Sequence, residues 1–148
     1  MDFSWSDKQL AFKQRVIQFA QENLNGDIVE RDHQGKFSWE NWKKCAEFGI
    51  QGMCIPEEYS GSPALDIMTA VLAMEALGYG CEDNGLTLGL NAQMWTVQIF
   101  LLQFGTDEQM QRYLPRLCHG EWIGVHALSE PNAGSDVYSL KTQAKKCD

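Results

Sequence analysis

The apolar residues at the start of the chain recur with the period of an α-helix. Ser6 and Gln9 have the residue types and spacing of a capping box, which satisfies free backbone groups at a helix start. The apolar stripe that follows repeats about every 3.6 residues and consists of Leu10, Val16, Ile17, Ala20 and Leu24. Asn25 and Gly26 are typical of a helix end. The pattern therefore predicts a first helix between the capping box and these two residues.

The same signals predict two more helices in the next part of the chain. One begins at Ser38 and ends at Gly49. The next covers residues 67–77, with Gly78 and Gly80 closing it. This third helix is apolar on nearly all sides, which is typical of a helix inside a bundle.

A fourth and a fifth helix complete the predicted helical region. The fourth covers residues 85–104 and is mostly apolar. Thr106 and Gln109 repeat the capping-box pattern, and a short helix follows through Tyr113. Pro115 is expected to kink or end that helix, because proline lacks the backbone N–H that a helix interior needs.

The pattern changes after Gly120. Residues 122–128 are rich in β-forming types, residues 129–136 are turn-forming, and residues 141–148 are polar. We predict a mainly α fold with a helical domain at residues 1–120 and the first strand and loop of a β domain at residues 121–148. An isolated strand is marginal in water, so this β region is expected to be truncated and the chain to be the front part of a longer protein.

Charge and composition narrow the classes of function. The chain has 12 basic and 20 acidic residues and a net charge of −8, which argues against nucleic-acid binding. Its basic residues are scattered, and its longest apolar run is too short to span a membrane. Its five cysteines form no CxxC pair, so we predict no metal site. The N-terminus lacks the pattern of a signal peptide, which predicts a reducing, cytoplasmic location.

Residues 126–136, HALSEPNAGSD, form the segment with the clearest chemical potential. A predicted strand leads into a loop that offers hydroxyl and backbone N–H donors, and such donors suit a flavin edge or a phosphate. Gly134 would let the backbone approach a ligand closely. On composition alone, an ordinary surface turn is the better interpretation, because the same residue types dominate turns.

Three stretches in order resemble the acyl-CoA dehydrogenase family. Residues 127–136, ALSEPNAGSD, resemble the family signature L-T-E-P-x-A-G-S-D. Residues 42–61, WKKCAEFGIQGMCIPEEYSG, and 104–120, FGTDEQMQRYLPRLCHG, are similar to two further family stretches. Together they cover most of the chain, which is identified on them as the N-terminal helical domain plus the start of the middle β domain of such a protein.

The resemblance implies FAD as the cofactor and α,β-dehydrogenation of an acyl thioester. In the family a base removes the α-proton and the β-hydrogen leaves as hydride to the flavin. That base comes from the family's C-terminal helical bundle, so the resemblance assigns no catalytic residue to this chain. The chain alone is therefore expected to be inactive and to hold FAD poorly.

The resemblance also implies roles for residues of the loop. Ser129 stands where the family usually has a Thr that contacts the flavin ring, and Leu128 matches the apolar position beside the ring. Gly134 and Ser135 match the Gly-Ser pair that lies near the FAD pyrophosphate and the pantetheine arm of the substrate.

The remaining polar residues of the loop are given structural roles. His126 is interpreted as a packing residue, because nothing nearby in the sequence pairs with it. Glu130 and Asp136 are expected to fix the loop by accepting backbone hydrogen bonds.

Gly89, Ala92 and Thr96 are candidates for the acyl pocket. They are spaced by three and four residues, so they share one face of the fourth helix. Small residues on that face would leave room for an acyl chain, which fits the pocket position that the resemblance implies. Close helix–helix packing remains an equal alternative.

The sequence leaves the substrate and the partners open. Residues 78–91 and 132–138 are similar to a branch of the family that oxidises aminoacyl groups tethered to carrier proteins. The substrate is therefore an acyl-CoA or a carrier-bound acyl thioester, and a non-catalytic helical interaction module is the third alternative. The resemblance implies an electron acceptor such as a flavoprotein or oxygen, homo-oligomers of the full-length protein, and the mitochondrial matrix in a eukaryote.

Overall fold

Helices dominate the structure. The computed structural model describes residues 4–62 and 66–145, and the mainly α fold class is confirmed. Its helices are α1 (Asp7–Asn23), α2 (Ile28–His33), α3 (Trp39–Phe48), α4 (Ile67–Gly80), α5 (Asn84–Asn91), a π-helical stretch (Ala92–Gln98), α6 (Ile99–Phe104) and α7 (Asp107–Cys118). Two 3₁₀ turns lie at Glu57–Tyr59 and Val137–Ser139. Within the described ranges no helix is long and apolar enough to cross a membrane.

Both predicted capping boxes are confirmed. At the start of α1, Ser6 Oγ accepts the Gln9 amide at 3.3 Å, and Gln9 Oε1 accepts the Ser6 amide at 3.0 Å. Thr106 and Gln109 make the same reciprocal pair at the start of α7, at 3.3 and 2.9 Å. Each box satisfies two backbone donors that a helix start would otherwise leave free.

The core forms where α1 and α4 pack together, with α3 and α5 around them. Its fully buried members include Val16, Ala20, Leu24, Trp42, Ala73, Leu77, Leu86, Leu90 and Met94. Their apolar area is withdrawn from water, which is the main stabilising contribution to a domain of this size.

Gly80 allows the close approach of α1 and α4. A Cβ at this position would lie 2.7 Å from the Ile17 carbonyl oxygen and 2.9 Å from Ala20 Cβ. The predicted end at residue 77 is three residues too early, since α4 continues through Gly78 and has Gly80 as its last residue. Gly80 is required by the packing partner across the interface, and Cys81 is the C-cap of the helix.

Two other predicted boundaries change. The fourth predicted helix is continuous but contains the π-helical stretch between α5 and α6. The fifth does not end near Tyr113, because α7 runs through Pro115 to Cys118. Pro115 removes the donor for the Gln111 carbonyl, but Gln111 is exposed and water can replace that donor.

The short helix α2, which the sequence did not predict, is held to the start of α5 by an ion pair. Arg31 Nη1 lies 2.8 Å from Asp83 Oδ2, and both side chains are mostly buried. Asp83 Oδ1 also accepts the Leu86 amide at 2.9 Å and so caps α5.

The C-terminal segment is extended. Residues 121–145 contain no paired strand, so the predicted first strand is not formed among them. The reason is physical, since a strand needs a neighbouring strand to pair with and the described residues supply none. One isolated bridge joins Glu130 and Ala133.

Candidate functional site

The loop at residues 128–136 is closed by Glu130. The backbone N–H groups of Glu130 and Ala133 donate to each other's carbonyl at 2.9 and 3.1 Å. The Glu130 carboxylate accepts the Lys141 amide at 3.0 Å, the Thr142 amide at 2.7 Å and the Thr142 hydroxyl. The Thr142 hydroxyl, followed by these amides, lowers the pKa of Glu130. The loop-fixing role expected of Glu130 is confirmed.

Asp136 fixes the loop in a different way from the one expected. Its carboxylate accepts a hydrogen bond from the Ser139 hydroxyl, and its carbonyl accepts the Ser139 amide at 3.2 Å. The expected backbone hydrogen bond to the Asp136 carboxylate is absent from the described part of the chain, because the nearby hydroxyl takes that place.

Three of the candidate cofactor-binding residues have hydrogen-bond donors without a partner among the described residues. The hydroxyls and the backbone amides of Ser129 and Ser135, and the amide of Gly134, make no hydrogen bond within the described residues. Leu128 is 41% exposed. A Cβ at Gly134 would meet no atom within 4 Å. This donor set fits the oxygen- and nitrogen-rich edge of a flavin and a pyrophosphate, both of which need N–H and O–H partners.

The candidate acyl-pocket residues do not all share one environment. Ala92 and Thr96 are exposed on the π-helical stretch, where the Thr96 hydroxyl donates to the Ala92 carbonyl at 2.7 Å. Gly89 is half-buried, and a Cβ there would lie 3.6 Å from the ring of Trp42. The structure therefore brings Ala92 and Thr96 together on an open face and places Gly89 toward a core aromatic residue.

An apolar groove lies next to that face. It encloses about 360 Å³, and its lining includes Thr96, Phe100, Phe104, Val125 and His126. The rings of Phe100 and His126 are 5.2 Å apart, which agrees with the packing role expected of His126. Phe100 and Phe104 were not predicted from the sequence, although their spacing of four residues places them on one face of a helix.

Comparison with known proteins places this arrangement in a family. The model of the acyl-CoA dehydrogenase N-terminal domain matches residues 6–121. The mitochondrial isovaleryl-CoA dehydrogenase of Solanum tuberosum is 38% identical over 146 residues, which are 97% of this chain and 35% of that protein.

Two solved structures have the same fold. The crystal structure of the prolyl acyl carrier protein oxidase AnaB has a TM-score of 0.91 and 49% identity over 98% of this chain and 38% of that chain. PigA, solved with FAD and proline, has a TM-score of 0.91 and 35% identity over 99% of this chain and 38% of that chain.

These relatives are much longer than the chain, which spans little more than a third of their length. The family model covers most of the chain, from the capping box of α1 to the residue after Gly120. The three sequence stretches, the helical core and the matched fold agree, and the chain belongs to the acyl-CoA dehydrogenase family.

Proposed function

We propose that this chain is the N-terminal part of a flavin-dependent acyl thioester dehydrogenase. One observation carries the proposal: a chain that matches the family's N-terminal domain over residues 6–121 continues into a loop whose hydroxyl and amide donors are unengaged. Ordinary surface turns satisfy such donors with water, but here the family signature occupies the same residues. The chain thus contributes the acyl-pocket wall and part of the flavin site.

The loop residues are proposed to hold FAD. Ser129 and Leu128 would contact the flavin ring, and Gly134 and Ser135 would bind near the pyrophosphate and the pantetheine arm. FAD, when bound, supplies the hydride acceptor for the hydrogen that leaves the β-carbon. The chain's own residues bind and orient, and no residue of this chain is proposed to move the substrate proton.

Ala92 and Thr96 are proposed to line the acyl pocket, together with the groove beside them. Their small or short side chains leave space on the exposed face of the π-helical stretch. Gly89 is retained as a third lining residue, although its half-buried position toward Trp42 also fits a packing role. Residues 1–120 form the helical domain in this proposal, and residues 121–148 begin the middle β domain.

The substrate is proposed to be an aminoacyl thioester on a carrier protein rather than an acyl-CoA. The identity to the prolyl acyl carrier protein oxidase AnaB is 49%, against 38% to the isovaleryl-CoA dehydrogenase. The net charge of −8 and the scattered basic residues also offer no cluster for the phosphates of coenzyme A. The electron acceptor is a flavoprotein or oxygen. The full-length protein is a homo-oligomer in the cytoplasm, or in the mitochondrial matrix of a eukaryote.

Anaerobic flavin reduction tests this function. The protein encoded by the complete reading frame is purified and mixed with a prolyl thioester on a carrier protein or with a matched acyl-CoA. We expect bound FAD that bleaches at least ten times faster with the carrier-bound substrate. Equal bleaching by the acyl-CoA would refute the preference for a carrier-bound substrate, but it would support the proposed dehydrogenase activity. A protein that binds no flavin would refute the dehydrogenase and favour the interaction module.

A further inference from the structure

A hydrogen bond of Gly124 joins the C-terminal segment to the helical body, which comprises residues 4–62 and 66–120. From Ile123 to Ser129, the described backbone makes only one hydrogen bond, in which the Gly124 amide donates to Gln93 Oε1 at 2.9 Å. The other end of the same side chain, Gln93 Nε2, donates to the Leu117 carbonyl at 3.2 Å. Gln93 is fully buried. The Gln93 side chain therefore joins the π-helical stretch, the last turn of α7 and the segment that leads to the loop at residues 128–136, called the flavin loop below.

Gly124 is the residue that permits this bond. A Cβ at Gly124 would lie 2.6 Å from Val97 Cγ1 and 3.3 Å from Leu117 Cδ2. Any larger residue would push the segment away from the helices and lengthen the bond to Gln93. The absence of a side chain here serves close approach of the backbone.

The π-helical stretch explains how Gln93 reaches α7. Gln93 and Gln98 are both fully buried, and both contact α7, since Gln98 Nε2 donates to Cys118 Sγ at 3.4 Å. In an α-helix, two side chains five residues apart point in directions that differ by about 140° around the helix axis. The i→i+5 bonding of a π-helix brings such a pair back toward one side. The same stretch leaves Ala92 and Thr96 exposed.

We propose that Gln93 is a positioning residue of the dehydrogenase site, whose side-chain amide fixes the segment that carries Leu128 and Ser129 against the helix that carries Ala92 and Thr96. This role rests on the proposed function. Gln93 touches neither the acyl-pocket face nor the flavin loop directly, and it acts through Gly124. A misplacement of about 1 Å between reacting groups can reduce a rate about a hundredfold, so one buried bond at this junction can control the chemistry.

The first test needs no flavin. Amide hydrogen exchange is measured on residues 1–148, comparing the wild type with Gln93→Met and with the matched control Gln98→Met. Methionine is unbranched and adapts to irregular space, so both variants lose hydrogen bonds with little change of shape. We expect protection of the Gly124 amide to fall at least tenfold in Gln93→Met and to stay within twofold in Gln98→Met. Equal loss in both variants, or no protection in the wild type, would overturn the proposal.

The second test links the contact to the site. In the protein from the complete reading frame, Gln93→Met is expected to weaken FAD binding about tenfold, to slow flavin reduction at saturating substrate and to shift the visible flavin spectrum. Gln98→Met is expected to leave the spectrum and the saturating rate unchanged. A flavin-binding wild type in which both variants behave alike would overturn the role of Gln93 only. A wild type without flavin would overturn the proposed function, and the site role of Gln93 with it.

A third variant covers the case in which Gln93→Met does not fold. In Gln93→Glu the carboxylate still accepts the Gly124 amide but has no N–H to donate to the Leu117 carbonyl. We expect protection of Gly124 to remain within threefold of the wild type. A loss as large as that expected for Gln93→Met would show that the Gly124 contact does not depend on an acceptor at this position.

Discussion

The helical body and the C-terminal segment of this chain use their residues in opposite ways. The body buries Trp42, Leu90 and their neighbours around the contact of α1 with α4. In the described part of the segment, residues 121–145, Ala133 alone is buried, while Val125 is 81% and Tyr138 98% exposed. In the body, capping side chains satisfy backbone donors at the starts of α1, α3, α4, α5 and α7. The segment leaves the donors of Ser129 and Ser135 without a hydrogen bond among the described residues.

Under the proposed function, this difference separates the region that stabilises the fold from the region that binds the cofactor. The body contains a core that can hold a fold by itself, because its apolar side chains are withdrawn from water. The segment contains the side chains that we propose for the flavin site, but the described part of it forms no paired strand that would hold them against the body. The two regions can therefore be perturbed separately, and the largest effect is expected in the core of the body.

Trp42 should carry a large part of the stability of the body. Trp42→Ala removes a side chain that is 1% exposed, and large aromatic deletions in cores cost about 3–5 kcal/mol. The free energy of unfolding is measured by urea denaturation of residues 1–148. Trp39→Ala is the control, because Trp39 is 61% exposed, and it should cost less than about 1 kcal/mol. Similar costs for the two variants would contradict a core built around Trp42.

Two glycines of α4 should respond in opposite directions. Gly80→Ala places a Cβ against the backbone and Ala20 of α1, so overpacking should destabilise the chain by about 1–3 kcal/mol. Gly78 lies in the same helix, and a Cβ added there would meet no atom within 4 Å, so Gly78→Ala should stabilise by about 0.5–1 kcal/mol. Urea denaturation of both variants measures the two effects. If both were stabilising, the helices would not be in close contact at Gly80.

In the segment, we expect the Ser129 hydroxyl to contribute to FAD binding. Ser129→Ala in the full-length protein removes one hydroxyl donor, and one lost hydrogen bond is worth about 1 kcal/mol. The dissociation constant for FAD should therefore rise about fivefold. Ser139→Ala is the control, because the Ser139 hydroxyl is already engaged by Asp136. An unchanged dissociation constant for Ser129→Ala would remove Ser129 from the flavin site.

The ion pair of Asp83 should make a small, pH-dependent contribution to the body. Burial raises the pKa of Asp83, but the Arg31 guanidinium and the Leu86 amide outweigh it and hold that pKa below its ordinary value. The contribution is therefore complete above the ordinary pKa of about 3.9 and is lost as pH falls through the lower, folded value. Asp83→Asn keeps an N-cap residue and removes the charge.

Denaturation of the wild type and Asp83→Asn at several pH values measures this contribution. The wild type should exceed the variant by about 1 kcal/mol at pH 7, and the difference should shrink as pH falls below about 3.9. Glu40→Gln is the control, because the Glu40 carboxylate pairs with Lys44 but is mostly exposed, and its effect should be smaller. A difference that stays constant with pH would assign the effect to packing or capping.

Local signals in the sequence predicted the body well. The capping boxes at Ser6 and Thr106 and the apolar stripe of α1 depend on residues three or four apart, so the sequence contains the whole interaction. The helix α2 was not predicted, because it has no apolar stripe and its N-cap residue, Asp27, makes no capping bond with its side chain. The backbone of Asp27 is also left-handed.

Features that depend on distant partners were predicted poorly. The sequence marks Gly80 as a helix end, but its close contact with α1 is evident only in the structure. Pro115 resembles a helix breaker until the exposed position of Gln111 is considered. Gln93 has no distinctive neighbours in the sequence, and its two partners lie 24 and 31 residues away. The loop at residues 128–136 could be predicted as a site only through its resemblance to a family signature, since its composition is that of a turn.

A side-by-side titration with FAD tests the division between the two regions most directly. Flavin fluorescence is followed as FAD is added to residues 1–148 and to the apo form of the full-length protein, and each is then mixed with the carrier-bound prolyl thioester. We predict a folded 1–148 chain with no stoichiometric FAD binding and no bleaching, and tight binding with bleaching in the full-length protein. Tight, stoichiometric binding and substrate-dependent bleaching by residues 1–148 would contradict the account, because the site would then be complete within this chain.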